Sequence, residues 1–258
     1  MPIDFPAAVE IPLSSPPLDE VVCQVRYPPI LRISQEEPAH FQELIRKRFP
    51  EFDKQQPLQI KLAPPGNSSE SSVELRPIIY QFTNAANKSQ AVLSSTFYAV
   101  STTKYNSWRS FLEDLKTVHE AVINTYQPAY ATRVGLRYIN RLTAENTGTT
   151  TREELLSMVR SELTAVLHGR VWDDVSEMIG VVSFNDSPAQ LNVRFGYEVK
   201  EKAPTFLVDF DYFEEGQIDL NEVLTRCDRY HEAIYQAFRW MVKDESLERF
   251  GGDTQWQQ

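Results

Sequence analysis

Hydrophobic positions along the chain recur with period two in some stretches and with steps of three and four in others, marking strands and amphipathic helices in turn. Alternation predicts a strand over 20–27, and Pro38, suited to a first helical turn, opens a helix running to Phe49. Further strands are predicted over 58–62, 72–82 and 90–102. In the helix that follows, Trp108, Phe111, Leu115, Val118 and Val122 form one core-facing stripe, with Asn106 or Ser107 as its cap. The order then restarts with a strand over 132–142, a helix over 152–167, strands over 176–184, 190–200 and 205–213, and a long helix over 220–242. Thr151 and Glu154 have the spacing of a capping box, and Gly169 offers a left-handed stop. Behind Asp219, the last helix carries Leu220, Val223, Leu224, Cys227, Ile234, Phe238 and Met241 on one face.

Both halves thus read β-α-β-β-β-α. His119-Glu120-Ala121-Val122 in one helix matches His231-Glu232-Ala233-Ile234 in another, and Val25-Arg26-Tyr27 matches Leu136-Arg137-Tyr138 at nearly the same offset. The repetition predicts an α+β protein of two pseudo-repeated modules, with antiparallel sheet or sheets and helices packed on one face. The corresponding boundaries are an extended proline-rich arm at 1–18, modules at 19–128 and 129–243, and a flexible tail at 244–258 in which Trp256 could dock. Five prolines fall in the first eighteen residues, which is why the arm is read as extended and not as a regular element. Pro64–Ser71 reads as a flexible hairpin loop.

Composition narrows the function classes. Hydrophobic residues make up 41%, yet no run of about 18 apolar residues occurs that would span a bilayer. The first residues lack a basic segment followed by an apolar one, so the expected place is the cytoplasm, with no membrane association. Cys23 and Cys227 are too few for a disulfide framework and are expected as small buried hydrophobes. A formal net charge of −10 argues against nucleic acid and favours a basic or neutral partner surface. A homodimer is compatible with this composition.

Candidate chemistry concentrates in Thr132–Arg141. Period two places Arg133, Arg137 and Arg141 on one face beside Gly135, and Val134, Leu136 and Tyr138 on the other. Three guanidiniums on one strand suit bidentate grip of a phosphate or carboxylate. They equally suit a cross-strand ion ladder, because Val208-Asp209-Phe210-Asp211 offers Asp209 and Asp211 on one face of a neighbouring strand. Arg26, from the equivalent first strand, and Asn140 complete the candidate ligand-binding set. His119-Glu120 and His231-Glu232 begin like a zinc-binding helix, but Ile123 and Tyr235 stand where the second histidine is required. No glycine pattern for a dinucleotide or phosphate cradle, no nucleophile elbow and no thiol-nucleophile signature occurs; no metal or other cofactor is expected, and no catalytic residue is assigned.

The segments Pro16–Val22, Val25–Pro28, Trp108 after Tyr105-Asn106-Ser107, and above all Arg133–Arg141 resemble a sporadically distributed family of uncharacterised bacterial proteins of this length. The resemblance covers nearly the whole chain; Arg-x-Gly-Leu-Arg-Tyr-x-Asn is its most specific motif, and Val208–Asp211 is similar to the family's hydrophobic-acidic strand. It implies a bacterial source and genes that move, as in mobile-element or defence neighbourhoods, and it carries over no site residue. Three functions follow as expectations. The first is a non-catalytic binding or accessory protein that recognises a protein partner, with the arm available to join the partner's sheet or groove. The second is an enzyme or sensor for an anionic small ligand, with the arginines as cradle and Asp209 and Asp211 holding a metal or acting as base. The third is a nucleic-acid-binding module along the basic stripe.

Overall fold

The computed structural model describes residues 3–55, 58–61, 72–75, 77–169, 174–200 and 203–252. In chain order the elements are β1 (Leu18–Arg26), α1 (Leu31–Gln35), α2 (Ala39–Ile45), β2 (Glu51–Gln55), β3 (Leu58–Lys61), β4 (Ser72–Leu75), β5 (Ile79–Asn84), β6 (Ser89–Ser94), β7 (Phe97–Thr102) and α3 (Trp108–Tyr126). They continue with β8 (Ala131–Thr143), α4 (Ala144–Thr147), α5 (Arg152–Ser157), α6 (Ser161–Thr164), β9 (Glu177–Asp186), β10 (Ala189–Lys200), β11 (Ala203–Ile218), α7 (Val223–Met241) and α8 (Asp244–Leu247). Nine strands form an antiparallel sheet in the order β2-β5-β6-β7-β1-β8-β11-β10-β9, and β3 pairs with β4 apart from it. Helices with antiparallel strands make this the α+β fold that the periodicity predicts. Among the described residues, no helix is long and apolar enough to cross a membrane.

The described residues fall into two compact units. One comprises Cys23–Arg133 with Gly216–Asn221. Its core joins Phe41 and Ile45 of α2 and Phe111, Leu115, Val118 and Val122 of α3 to the buried Phe82, Leu93 and Val100 of the strands. The Phe41 and Phe82 rings meet edge-on at 5.4 Å. Helix α3 starts where the sequence predicts, Ser107 Oγ accepting from the Ser110 amide at 3.2 Å. The strand expected over 90–102 is instead the hairpin β6–β7. Its turn, Ser95-Thr96, is pinned because the two carbonyls accept from the Ile30 amide (2.8 Å) and the Tyr27 amide (3.0 Å). The strand expected over 72–82 is likewise divided between β4 and β5, which belong to different sheets. The predicted loop Pro64–Ser71 lies outside the described residues.

The other unit comprises Met1–Val22, Val134–Glu215 and Glu222–Gln258. In β8 the even positions Val134, Leu136, Tyr138, Asn140 and Leu142 are buried, as are Phe206, Val208, Phe210 and Tyr212 of β11. Helix α7 closes over this apolar side with Val223, Cys227, Tyr230, Ile234 and Met241, and the Tyr212 and Tyr230 rings stack at 4.5 Å. The capping box of Thr151 and Glu154 forms as predicted. The helix expected over 152–167 breaks at 158–160, because Val159 pairs with Val242, the Arg160 amide donates to Met241 O and the Lys243 amide to Met158 O. A long-range backbone pairing has displaced local helix propensity.

Both flanking segments are packed against the unit to which they belong. The arm is extended, but it lies against its own unit: Ile11 is buried, Val9 O accepts from Tyr235 Oη (3.1 Å) and Arg239 Nη1 (2.9 Å), and Phe5 packs on Phe184 and Trp240. Residues 244–252 are not a loose tail, since α8 and the turn after it bury Leu247 and Phe250 completely and the Ser15 amide donates to Phe250 O. Apolar anchors at these positions supply the reason. Trp256 lies outside the described residues.

Candidate functional site

The odd-numbered positions of β8 and β11, with the even-numbered positions of β10, face away from α7 and carry a cluster of charged side chains. On β8 the central group is Arg137. Its Nε donates to Asp209 Oδ1 at 2.8 Å and its Nη2 to Asp209 Oδ2 at 2.6 Å, the two-point fork that guanidinium and carboxylate planes favour. Asp209 is only 6% exposed, whereas the Arg137 side chain keeps 46% of its surface. The bonded Asp209 carboxylate raises the guanidinium pKa above its ordinary value, with burial opposing and the charges of Asp211 and Glu20 assisting. Toward the end of the strand, Arg141 Nε donates to Asp19 Oδ2 at 3.0 Å, and Nη1 pairs with Glu198.

Arg137 and Asp209 make a cross-strand ion pair, as the second of the two sequence readings expects, whereas Arg141 pairs with Asp19 and Glu198 and not with the Asp209–Asp211 strand. Arg137, Arg141, Asp209 and Asp211 share the face. Arg133 and Arg26 belong to the other unit, where Arg133 is engaged and Arg26 Nε donates to Gln24 Oε1 at 2.9 Å. Asn140 points the other way. It is 5% exposed and donates to Val208 O at 3.2 Å, so its amide satisfies a backbone acceptor inside the core and is not turned toward the arginines.

Sequence reasoning missed Arg194 and Glu198 on β10. Arg194 is exposed and stands in register with Asp209, so the buried carboxylate has an arginine-bearing strand on either side of it. The signal was present in Gln190-x-Asn192-x-Arg194-x-Gly196-x-Glu198, a polar period-two series.

The two His-Glu motifs resolve as core contacts. His231 Nδ1 shares a hydrogen bond with Tyr138 Oη at 2.9 Å, and His119 Nδ1 shares one with Tyr98 Oη. Burial lowers both imidazole pKa values, that of His231 to about 4. Among the described residues no group of three or more His, Cys, Asp or Glu is placed to hold a metal ion. In the unit of Cys23–Arg133, Arg32, Glu36, Glu37, His40 and Tyr126 line a cavity of about 270 Å³. There the Arg32 guanidinium sits over the Tyr126 ring at 5.1 Å and donates to Thr125 O, which commits the cavity's cation to the protein's own groups.

Compared with known proteins, the chain matches no family model and no curated protein.

Proposed function

We propose that this protein is a non-catalytic binding protein that recognises a protein partner through the charged sheet face around Arg137. The observation that carries this reading is the Arg137–Asp209 fork. A guanidinium held at two points by a nearly buried carboxylate, with almost half of its own surface left in water, has already lost the rotamer freedom that binding would otherwise remove. Pre-ordered arginines of this kind are typical anchors of protein interfaces, where polar and stacking contacts are made together. The same neutralisation weakens the case for a small-anion cradle, because the carboxylate that an incoming anion would have to displace is built into the sheet.

We also infer that the two halves descend from a duplicated β-α-β-β-β-α module. Two features support this. The first strand of each half neighbours the last strand of its own three-stranded run, β1-β7-β6-β5 against β8-β11-β10-β9, and each His-Glu-Ala motif presents its histidine to a tyrosine hydroxyl.

The deciding experiment is an affinity pull-down at low and moderate salt, with mass spectrometry of bound proteins and metabolites, comparing the natural protein with Arg194→Glu. This substitution reverses the exposed charge beside Asp209 and leaves the Arg137 fork in place. A stoichiometric protein partner that the folded variant loses at least about tenfold is the expected result. An anionic metabolite retained by the natural protein and lost by the variant would overturn the reading in favour of a small-ligand site. Capture of nucleic acid that falls steeply with salt would overturn it in favour of a nucleic-acid-binding module.

A further inference from the structure

At one end of the nine-stranded sheet lies β9, and among the described residues no strand pairs with its outer edge. An open edge presents a row of backbone donors and acceptors, and proteins usually blunt such edges with lysine, proline or other charge. The opposite edge, β2, follows that rule: Glu51, Asp53 and Lys54 occupy three of its five positions, all exposed. Over Met178–Asn185, β9 instead reads Met-Ile-Gly-Val-Val-Ser-Phe-Asn, with no charge and no proline. Ile179, Val181 and Val182 are 45%, 66% and 40% exposed there. A chain of net charge −10 thus carries a neutral, apolar, β-branched strand along one unpaired edge.

We propose that β9 is a homodimer interface, pairing antiparallel with β9 of a second copy about a two-fold axis through Gly180. The strand is self-complementary in this register. Ile179 stands opposite Val181 of the other copy on one face, Met178 opposite Val182 on the other, Gly180 opposite Gly180, and Glu177 opposite Ser183, so no like charges meet from Glu177 to Ser183. Shifting the axis by one residue to Val181 still sets Val181 against Val181 and Met178 against Phe184, but it places Ile179 against Ser183 and Val182 against Gly180, so two of the three exposed apolar side chains lose an apolar partner. The hairpin behind the edge holds it straight. β9 pairs with β10 along its whole length, and Gly196 lets the strands approach so closely that a Cβ there would lie 2.1 Å from Met178 O. Because the neutral strip is flanked by an acidic molecule, salt screens the repulsion between copies and strengthens the dimer, opposite to what charge-driven recognition would show. The inference does not rest on the proposed function, whose test reads loss of a different chain.

Sedimentation of the full chain at about 50 µM, in low and high salt, tests it against Val181→Lys. The expected result is a dimer for the natural protein, unchanged or tighter in high salt, and association weakened at least about tenfold toward monomer for the variant, whose side chain is exposed and whose circular dichroism should be unchanged. A monomeric natural protein, or a dimer indifferent to Val181→Lys, overturns the proposal. Register is read by oxidising Ile179→Cys and Val181→Cys proteins separately and mixed. Cross-linking only in the mixture is expected from the axis at Gly180, while cross-linking of Val181→Cys alone places the axis elsewhere and overturns it.

Discussion

His231 is set against Tyr138 inside the larger discontinuous unit, and burial depresses its pKa from 6.5 to about 4. The unfolded chain protonates this imidazole as pH falls through 6.5, while the folded chain does so only near 4. Stability is therefore complete above pH 6.5 and declines through that window by roughly 1.4 kcal/mol per pH unit, about 3 kcal/mol in total, then levels off. Urea denaturation between pH 7.5 and 4 should show this slope, and His231→Gln should reduce it, leaving the part that belongs to His119. The role of the histidine was half legible from sequence: the missing metal-ligand position excluded zinc, but nothing local identified the tyrosine hydroxyl. Asn140 was fully legible and misplaced. Counting by two from Val134 sets it on the buried face, so its neighbourhood with Arg141 in sequence is not a neighbourhood in space. Arg194 escaped because its position opposite Asp209 depends on hairpin register, which no local pattern of charge reveals.

Elements with strong local signals formed where expected: α3 with its Ser107 cap, α5 with its capping box, and the strand of alternating arginines. Those that differed did so through distant partners. The 158–160 break answers to Val242, and the Ser95-Thr96 turn answers to Tyr27 and Ile30. Gly196 is the most exacting position in the β9–β10 hairpin, since any side chain would collide with a backbone carbonyl, which cannot swing aside as a flexible side chain can. Gly196→Ala should loosen β9 selectively, at a cost of about 1–3 kcal/mol. Hydrogen exchange is the measurement, with faster exchange in 177–186 and unchanged protection in α3 as the expected pattern.

For the molecule as a whole, the arm changes meaning once seen folded. A segment read as free to reach a partner is held by buried Ile11, by the two hydrogen bonds to Val9 O and by the contact of Phe5 with Trp240. A variant lacking residues 1–15 should therefore lose about 2–4 kcal/mol of stability, seen as a lower Tm at unchanged secondary structure. Retention of full stability would return the arm to the role of a free recognition segment.

The pairing of Ser15 with Phe250 also bears on how the chain is made. A ribosome releases residues 23–133, nearly all of one compact unit, long before it releases α7 and α8, on which the arm must lie. Residues 3–15 are thus made before the elements they pack on and find their place only after them. Until then Phe5, Val9 and Ile11 wait exposed to any chaperone or protease that meets the nascent chain.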